Sequence, residues 1–321
     1  MTAESTTGIT IGVDVGGTKC LGVVVGADGG IVAEHRVPTP AGPDEVIDAI
    51  AEIIGELQRG APEATRVCVG APGLIDRDGV LRFAPNLGAA AEVPVRAELA
   101  QRLPGTTIVV ENDANCAAWG ERVAGACQGV DDVVMVTLGT GIGGGIILGG
   151  ALFRGHNGFA GEIGHVVVDP NGPFCPCGQR GCWERYASGS GLGWLGREVA
   201  VAGQAARVVQ LAGGDPEAVR GEHVTRAAAE GDAQALAVMD RFAWWVALGL
   251  ANLANTFDPA RFVLGGGLVE AGPLLLDPVS RHFLDLVEAA THRPPIDIVA
   301  ATLGERAGAI GAADLARRSS A

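Results

Sequence analysis

One histidine and three cysteines fall within 18 residues, at His165, Cys175, Cys177 and Cys182. An imidazole and three thiolates make a tetrahedral Cys3His donor set for Zn2+. The Cys175-Pro176-Cys177 step does not match the Cys-x-x-Cys of a thioredoxin-like redox pair. A disulfide and free thiols are the remaining readings. With all four positions filled by protein, such a zinc keeps no site for substrate, so its role is structural. It would stiffen the loop that carries Glu162, His165 and Glu184. Carboxylates and an imidazole there can exchange hydrogen bonds with several hydroxyls of a ligand, whereas each glutamate taken singly also reads as solvated surface.

Two glycine turns are candidates for phosphate binding, each with an ordinary hairpin turn as the alternative. Asp14-Val15-Gly16-Gly17-Thr18-Lys19 joins two predicted strands. Gly16 and Gly17 let a backbone approach phosphate closely, Thr18 adds a hydroxyl and Lys19 a positive charge. Asp14 has the hard oxygen donors that Mg2+ prefers. The GxxxxGK[ST] spacing of a Walker A loop is absent. In Leu138-Gly139-Thr140-Gly141-Ile142-Gly143-Gly144-Gly145, five of eight residues are glycine. A plain hairpin needs one or two, and the excess fits a concave nest of backbone N–H groups. Gly265-Gly266-Gly267 follows a short apolar strand and suits either a tight turn or a flat adenine or ribose lying on the backbone. Glu111-Asn112-Asp113-Ala114-Asn115 ends a strand and opens a helix. Asp113 there is either a plain N-cap or a carboxylate that takes a proton from a substrate hydroxyl, with Asn112 orienting that hydroxyl.

The elements that must position these groups are legible as patterns. Strands are predicted over Ile9–Val15, Leu21–Val25 and Ile31–Val37, as an antiparallel meander. A helix over Pro43–Gln58 places Val46, Ile47, Ile50, Ile53, Ile54 and Leu57 on one face. Strand, helix, strand and helix follow to Ala124. A second strand–glycine turn–strand unit begins near Asp132. The segment Gly155–Glu184 is irregular, Ser190–Phe257 is mostly helical, Arg261–Leu264 is a strand and a last helix ends near Arg318. Helix Met239–Phe257, with Trp244 and Trp245, has a broad apolar surface that suits core or interface. The chain is therefore α/β and carries a weak internal repeat.

With 37 acidic and 23 basic residues, a net charge of −14 and 48% hydrophobic residues, the chain is globular and acidic. That charge disfavours nucleic acid and anionic membrane surfaces as partners. No basic leader opens the sequence, and the longest apolar stretches are broken by glycine, charge or turn residues. A cytoplasmic protein is expected. Cys20, Cys68, Cys116 and Cys127 lie in apolar surroundings and read as small buried hydrophobes.

These motifs resemble the ROK family (repressor, open reading frame, kinase), and in particular its bacterial glucokinases, from about residue 9 to residue 315. The resemblance implies an actin-like ATPase fold, two ribonuclease-H-like domains with a cleft between them. A smaller domain is expected over residues 1–117 plus about 305–321, and a larger one with the zinc loop over 118–304. It implies ATP-dependent phosphorylation of glucose to glucose 6-phosphate, with Asp113 as general base. Asn86, Asn112, Glu162, His165 and Glu184 would bind sugar hydroxyls, His165 with one ring nitrogen on zinc. The glycine segments, Gly265-Gly266-Gly267 among them, would hold ATP with Mg2+. A homodimer or homotetramer is implied. Other hexoses or N-acetylhexosamines are alternative acceptors, and a non-catalytic sugar sensor is a further alternative. The family's repressors carry a winged helix-turn-helix ahead of the sugar domain; with eight residues before the first predicted strand, none is expected here.

Overall fold

The computed structural model describes residues 8–84 and 91–319. The chain divides into two compact units, one of Met1–Asp131, Gly145–Gly161 and Thr302–Ala321, the other of Asp132–Gly144 and Glu162–Ala301.

In the first unit, β1 (Thr10–Val15), β2 (Lys19–Val25) and β3 (Ile31–Pro38) form the expected antiparallel meander, and β4 (Arg66–Ala71) and β7 (Thr107–Asn112) extend β1 in parallel, giving the order β3-β2-β1-β4-β7. A two-stranded ribbon of β5 (Leu74–Ile75) and β6 (Leu81–Phe83) lies between β4 and α2 in the chain. Helix α1 (Pro43–Gly60) buries the predicted face. Val46, Ile47, Ile50, Ile53, Ile54 and Leu57 are each at most 5% exposed, and each contributes about 1.5–3 kcal/mol of gross burial. Helix α2 (Val95–Arg102) joins that layer through Val95 and Leu99.

The unit's remaining helices, α3 (Asp113–Ala124) and α10 (Ala307–Arg318), pack through glycine. A Cβ at Gly12 would collide with the Ala309 carbonyl oxygen, one at Gly120 with Ala307, and one at Gly311 with the Cys116 carbonyl oxygen. Backbones therefore touch where side chains normally stand between elements. Glu121, fully buried on α3, closes this seam. Its carboxylate accepts from the N–H groups of Thr302 (2.9 Å), Leu303 (2.8 Å) and Ala126 (2.7 Å) and from the Thr302 hydroxyl (3.2 Å). A buried charge with four donors is stabilised where an unpaired one would be expelled.

The second sheet has the order β10-β9-β8-β11-β12, built from β8 (Val133–Leu138), β9 (Ile142–Leu148), β10 (Ala151–Leu152), β11 (Arg261–Gly265) and β12 (Asp297–Ala300). In chain order both sheets read third-second-first-fourth-fifth, so the weak sequence repeat is a repeat of topology. The second unit's helices are α4 (Glu184–Ala187), α5 (Gly189–Val201), α6 (Ala206–Leu211), α7 (Gly221–Ala229), α8 (Ala233–Phe257) and α9 (Pro273–Leu286).

By length and composition alone α8 is apolar enough to cross a membrane, although Asp240 and Arg241 interrupt its apolar run. Yet 56% of that window is buried inside the protein, and Phe242, Val246 and Leu250 are fully buried, which is the pattern of a core helix. Leu236 and Trp244, at 38% and 36% exposure, are the large apolar side chains of α8 that reach the surface. Cys20, Cys68, Cys116 and Cys127 are buried, as their surroundings predict.

Candidate functional site

In the first unit, Asp14 near the end of β1 and Asp113 at the start of α3 are brought together by the parallel register of β1, β4 and β7, in which Asp14 pairs with Gly70 and Gly70 with Glu111. Asp113 is not the helix cap. Asn112 takes that role, accepting from Asn115 N–H at 3.1 Å while its amide donates to Gly73 O at 3.2 Å. Relieved of capping, Asp113 makes only local backbone bonds among the described residues, Oδ1 accepting from Ala114 N–H at 2.8 Å.

Both carboxyls are half-buried by surface exposure, and the protein around them strips enough water to raise their pKa. Burial, then the charge of Asp113, pushes Asp14 to about 7, against a smaller opposing pull from Lys19. Asp14 also lies against the first turn of α10, where a Cβ at Gly308 would strike its carboxylate. Below this turn, Glu111 Oε1 accepts from Asn112 N–H and from the Asn115 amide, each at 2.9 Å, while Arg154 holds Oε2. Sequence pattern names Glu111 within its segment but gives it no role, and it singles out neither Glu121 nor Arg154.

The Gly16–Lys19 turn is closed by Gly16 N–H to Lys19 O at 3.0 Å and anchored by Thr39, whose hydroxyl donates to Gly16 O at 2.6 Å. Among the described residues, nothing accepts from the N–H groups of Gly17 or Thr18. A Cβ at Gly17 would meet open space, so the chain's own packing does not demand glycine there. Both facts suit an anion approaching from outside. Lys19 is already engaged, its ammonium paired with Glu305, which also takes Arg36.

The second unit holds the other turn. Gly139 N–H donates to Gly141 O at 3.0 Å, and the N–H groups of Thr140 and Gly141 have no acceptor among the described residues. Beside it opens a cavity of about 960 Å³, within the range of a ligand site, lined by Gly139, Thr140, Ser190, Arg226, Gly267 and Leu274 among others. The turn and Gly267 are thus brought to one cavity. Gly265 and Gly266 answer to internal packing instead: a Cβ at Gly266 would strike Leu138, and its φ is +83°.

The donor atoms of His165, Cys175, Cys177 and Cys182 all lie within 4.8 Å of one another. A tetrahedral ion with bonds of about 2.0–2.3 Å sets its ligands roughly 3.5–3.8 Å apart. Cys177 Sγ and Cys182 Sγ stand 3.6 Å apart, and Cys175 Sγ and His165 Nδ1 3.7 Å, so the four residues fit a soft-donor metal ion. His165 Nε2 points the other way, 4.0 Å from Glu162 Oε2. Burial, reinforced by the neighbouring thiols, pushes the Cys182 thiol up to about 12, so three thiolates need a cation to form together. Glu184 follows Cys182 by two residues, at the start of α4, and its Oε2 accepts from Ile142 N–H at 2.9 Å. Tyr186 anchors the loop from behind, donating to Asp169 Oδ2 at 2.8 Å and stacking on Trp245 at 4.0 Å. Asn86 lies outside the described residues.

Two sheets of identical strand order, each opening on a strand–glycine turn–strand unit, are the hallmark of the actin-like ATPase fold. Within that class the chain belongs to the ROK family, whose pattern it matches over residues 10–319. It is 44% identical over 313 residues to the glucokinase of Streptomyces coelicolor, covering 97% of this chain and 98% of that one. It is 37% identical over 314 residues to the N-acetylmannosamine kinase of Escherichia coli, covering 96% and 98%. Among solved structures it resembles a ROK family glucokinase from Streptomyces griseus in complex with glucose and AMPPNP, with a TM-score of 0.86 and 43% identity over 97% of this chain and 100% of that one.

Two outcomes follow from this geometry. The Asp14 carboxyl has a folded-state pKa near 7, above its unfolded value. The native state therefore binds more protons between about pH 4 and 7, and stability falls as pH rises through that window. Asp14→Asn should raise the melting temperature of the ligand-free protein at pH 8, by on the order of 1–3 kcal/mol of stability after allowance for partial exposure, and the gain should vanish near pH 4. Thermal melts at the two pH values check this. Cys177→Ser should reduce bound metal from about one ion per chain to near zero, read by elemental analysis, and should lower the melting temperature by several degrees.

Proposed function

We infer that this chain transfers the γ-phosphoryl group of ATP to glucose, forming glucose 6-phosphate and ADP. The observation that carries the reading is the carboxyl pair at the edge of the glycine turn: Asp113, spared from capping, and Asp14, both held at raised pKa. Identity to the Streptomyces coelicolor glucokinase across nearly the whole chain, and the glucose and AMPPNP in the Streptomyces griseus structure, support the choice of substrates.

Asp113 acts as general base. As the glucose 6-hydroxyl attacks the γ-phosphorus in line, its proton passes to the Asp113 carboxylate and the bond to the β-phosphate oxygen breaks, releasing ADP. A raised pKa makes this carboxylate a stronger base than a solvated one. Asn112 orients the acceptor hydroxyl; Glu162, His165 Nε2 and Glu184 take further hydroxyls, with Asn86 as an additional contact. The N–H groups at Gly17 and Thr18, and at Thr140 and Gly141, offer hydrogen bonds to phosphate oxygens. Thr18, and Lys19 on release from Glu305, add a hydroxyl and a charge. The cavity beside Thr140 and Gly267 suits the adenosine.

Mg2+ bound with ATP would neutralise phosphate charge, and Asp14 is the residue to hold it, directly or through water. Zn2+ on His165, Cys175, Cys177 and Cys182 would supply rigidity alone, fixing the His165 tautomer with a proton on Nε2. The chemistry then rests on positioning and electrostatics.

The 37% identity to an N-acetylmannosamine kinase favours a second reading, a different acceptor on the same machinery. A coupled assay of ADP release with Mg-ATP and a panel of glucose, mannose, fructose and N-acetylhexosamines separates them: glucose should give the highest kcat/KM. Asp113→Asn should lower kcat by about 10²–10⁴-fold while leaving glucose affinity within a few-fold of wild type. Loss of glucose binding in that variant would mean that Asp113 holds the sugar rather than taking its proton.

A further inference from the structure

Glu184 sits where two functions meet within the second unit. It follows Cys182 and Trp183 in the metal-binding loop and opens α4. Its Oε2 accepts from Ile142 N–H at 2.9 Å, directly after the glycine turn, and the carboxylate lies so close over Gly141 that a Cβ there would strike Oε2. The next helix holds the same turn from the same side: Gly189 N–H donates to Gly139 O at 2.8 Å, and the Ser190 hydroxyl to Thr140 O at 2.9 Å. The turn is thus bracketed by residues 184–190, and Thr140 and Gly141 keep their N–H groups without an acceptor among the described residues. Glu184 Oε1 has no hydrogen bond among the described residues.

The geometry points to Glu184 as a bracket that shapes the phosphate turn and couples it to the acceptor sugar, so that sugar and nucleotide bind cooperatively through one carboxylate. The identity of the two ligands rests on the kinase reading above. A sugar hydroxyl donating to Oε1 fixes the carboxylate in the rotamer that also receives Ile142 N–H on Oε2. The ordering needed by the turn is then already met when the nucleotide arrives. The coupling is reciprocal: whatever factor glucose adds to nucleotide affinity, nucleotide adds to glucose affinity. Glu184 is a positioning residue toward the nucleotide, distinct from its contact with sugar.

The test is calorimetric binding of Mg-AMPPNP to wild type, Glu184→Ala and Glu184→Gln, with and without saturating glucose, at matched metal content. Without sugar, Glu184→Ala should weaken AMPPNP about 3–10-fold, the net worth of one intramolecular hydrogen bond. Glu184→Gln should stay within about twofold, because its amide oxygen still accepts from Ile142 N–H. A general loss of structure would not be rescued by glutamine. In wild type, glucose should tighten AMPPNP, and that gain should disappear in Glu184→Ala. Ser190→Ala, which removes the neighbouring bond to Thr140 O, should weaken AMPPNP in the same direction and stands in if Glu184→Ala loses metal or fold. Wild-type nucleotide affinity in sugar-free Glu184→Ala, or in Ser190→Ala where it stands in, overturns the bracket while leaving the kinase reading intact. If wild type binds neither glucose nor AMPPNP, the kinase reading fails and the bracket with it.

Discussion

Everything in the first unit depends on how closely α10 lies on β1 and α3. Gly12, Gly120 and Gly311 remove the side chains that would keep these elements apart, and Glu121 locks the end of the seam by gathering donors at Thr302 and Leu303. Close approach has a chemical result. It presses the first turn of α10 onto Asp14, and it fixes the helix whose first residue is Asp113. Two carboxyls are thereby held together with little water, which raises the pKa of each. A looser packing would let water in and return both toward ordinary carboxylate behaviour.

The second unit solves a different problem. Its functional residues lie on an irregular loop, where backbone order is not supplied by a helix or strand. The clustered side chains of His165, Cys175, Cys177 and Cys182, the Tyr186–Asp169 bond and the Tyr186–Trp245 stack supply it instead. The His165 ring faces two ways, Nδ1 to the thiols and Nε2 toward Glu162. The His165 and Cys182 ends of this cluster lie within a few residues of Glu162 and Glu184, and Glu184 reaches the glycine turn through Ile142 N–H.

Much of this was legible because it is local in sequence. The Cys3His cluster, the two glycine turns and the Glu111–Asn115 segment each fit within one turn or loop, and their spacing carries the chemistry. The α1 stripe and the β1-β2-β3 meander follow from periodicity alone. What sequence did not disclose is long-range or depends on burial. Lys19 finds Glu305 and Glu121 finds Thr302 across more than half the chain, and no local pattern announces either pair. Asn112 and Asp113 are equally good caps on propensity, and only the backbone geometry assigns the role to Asn112. The apolar run in α8 has the composition of a membrane span, and its burial is a tertiary fact. The short strands β5, β6 and β10 fall below the length at which alternation can be read.

The central claim is that phosphate passes from ATP to the 6-oxygen of glucose. Phosphorus NMR of the metal-loaded protein with glucose and Mg-ATP follows that atom directly. The account predicts that the γ-phosphate signal is replaced by that of glucose 6-phosphate, in step with ADP and without inorganic phosphate. ATP left unconsumed, or released only as inorganic phosphate, would contradict it.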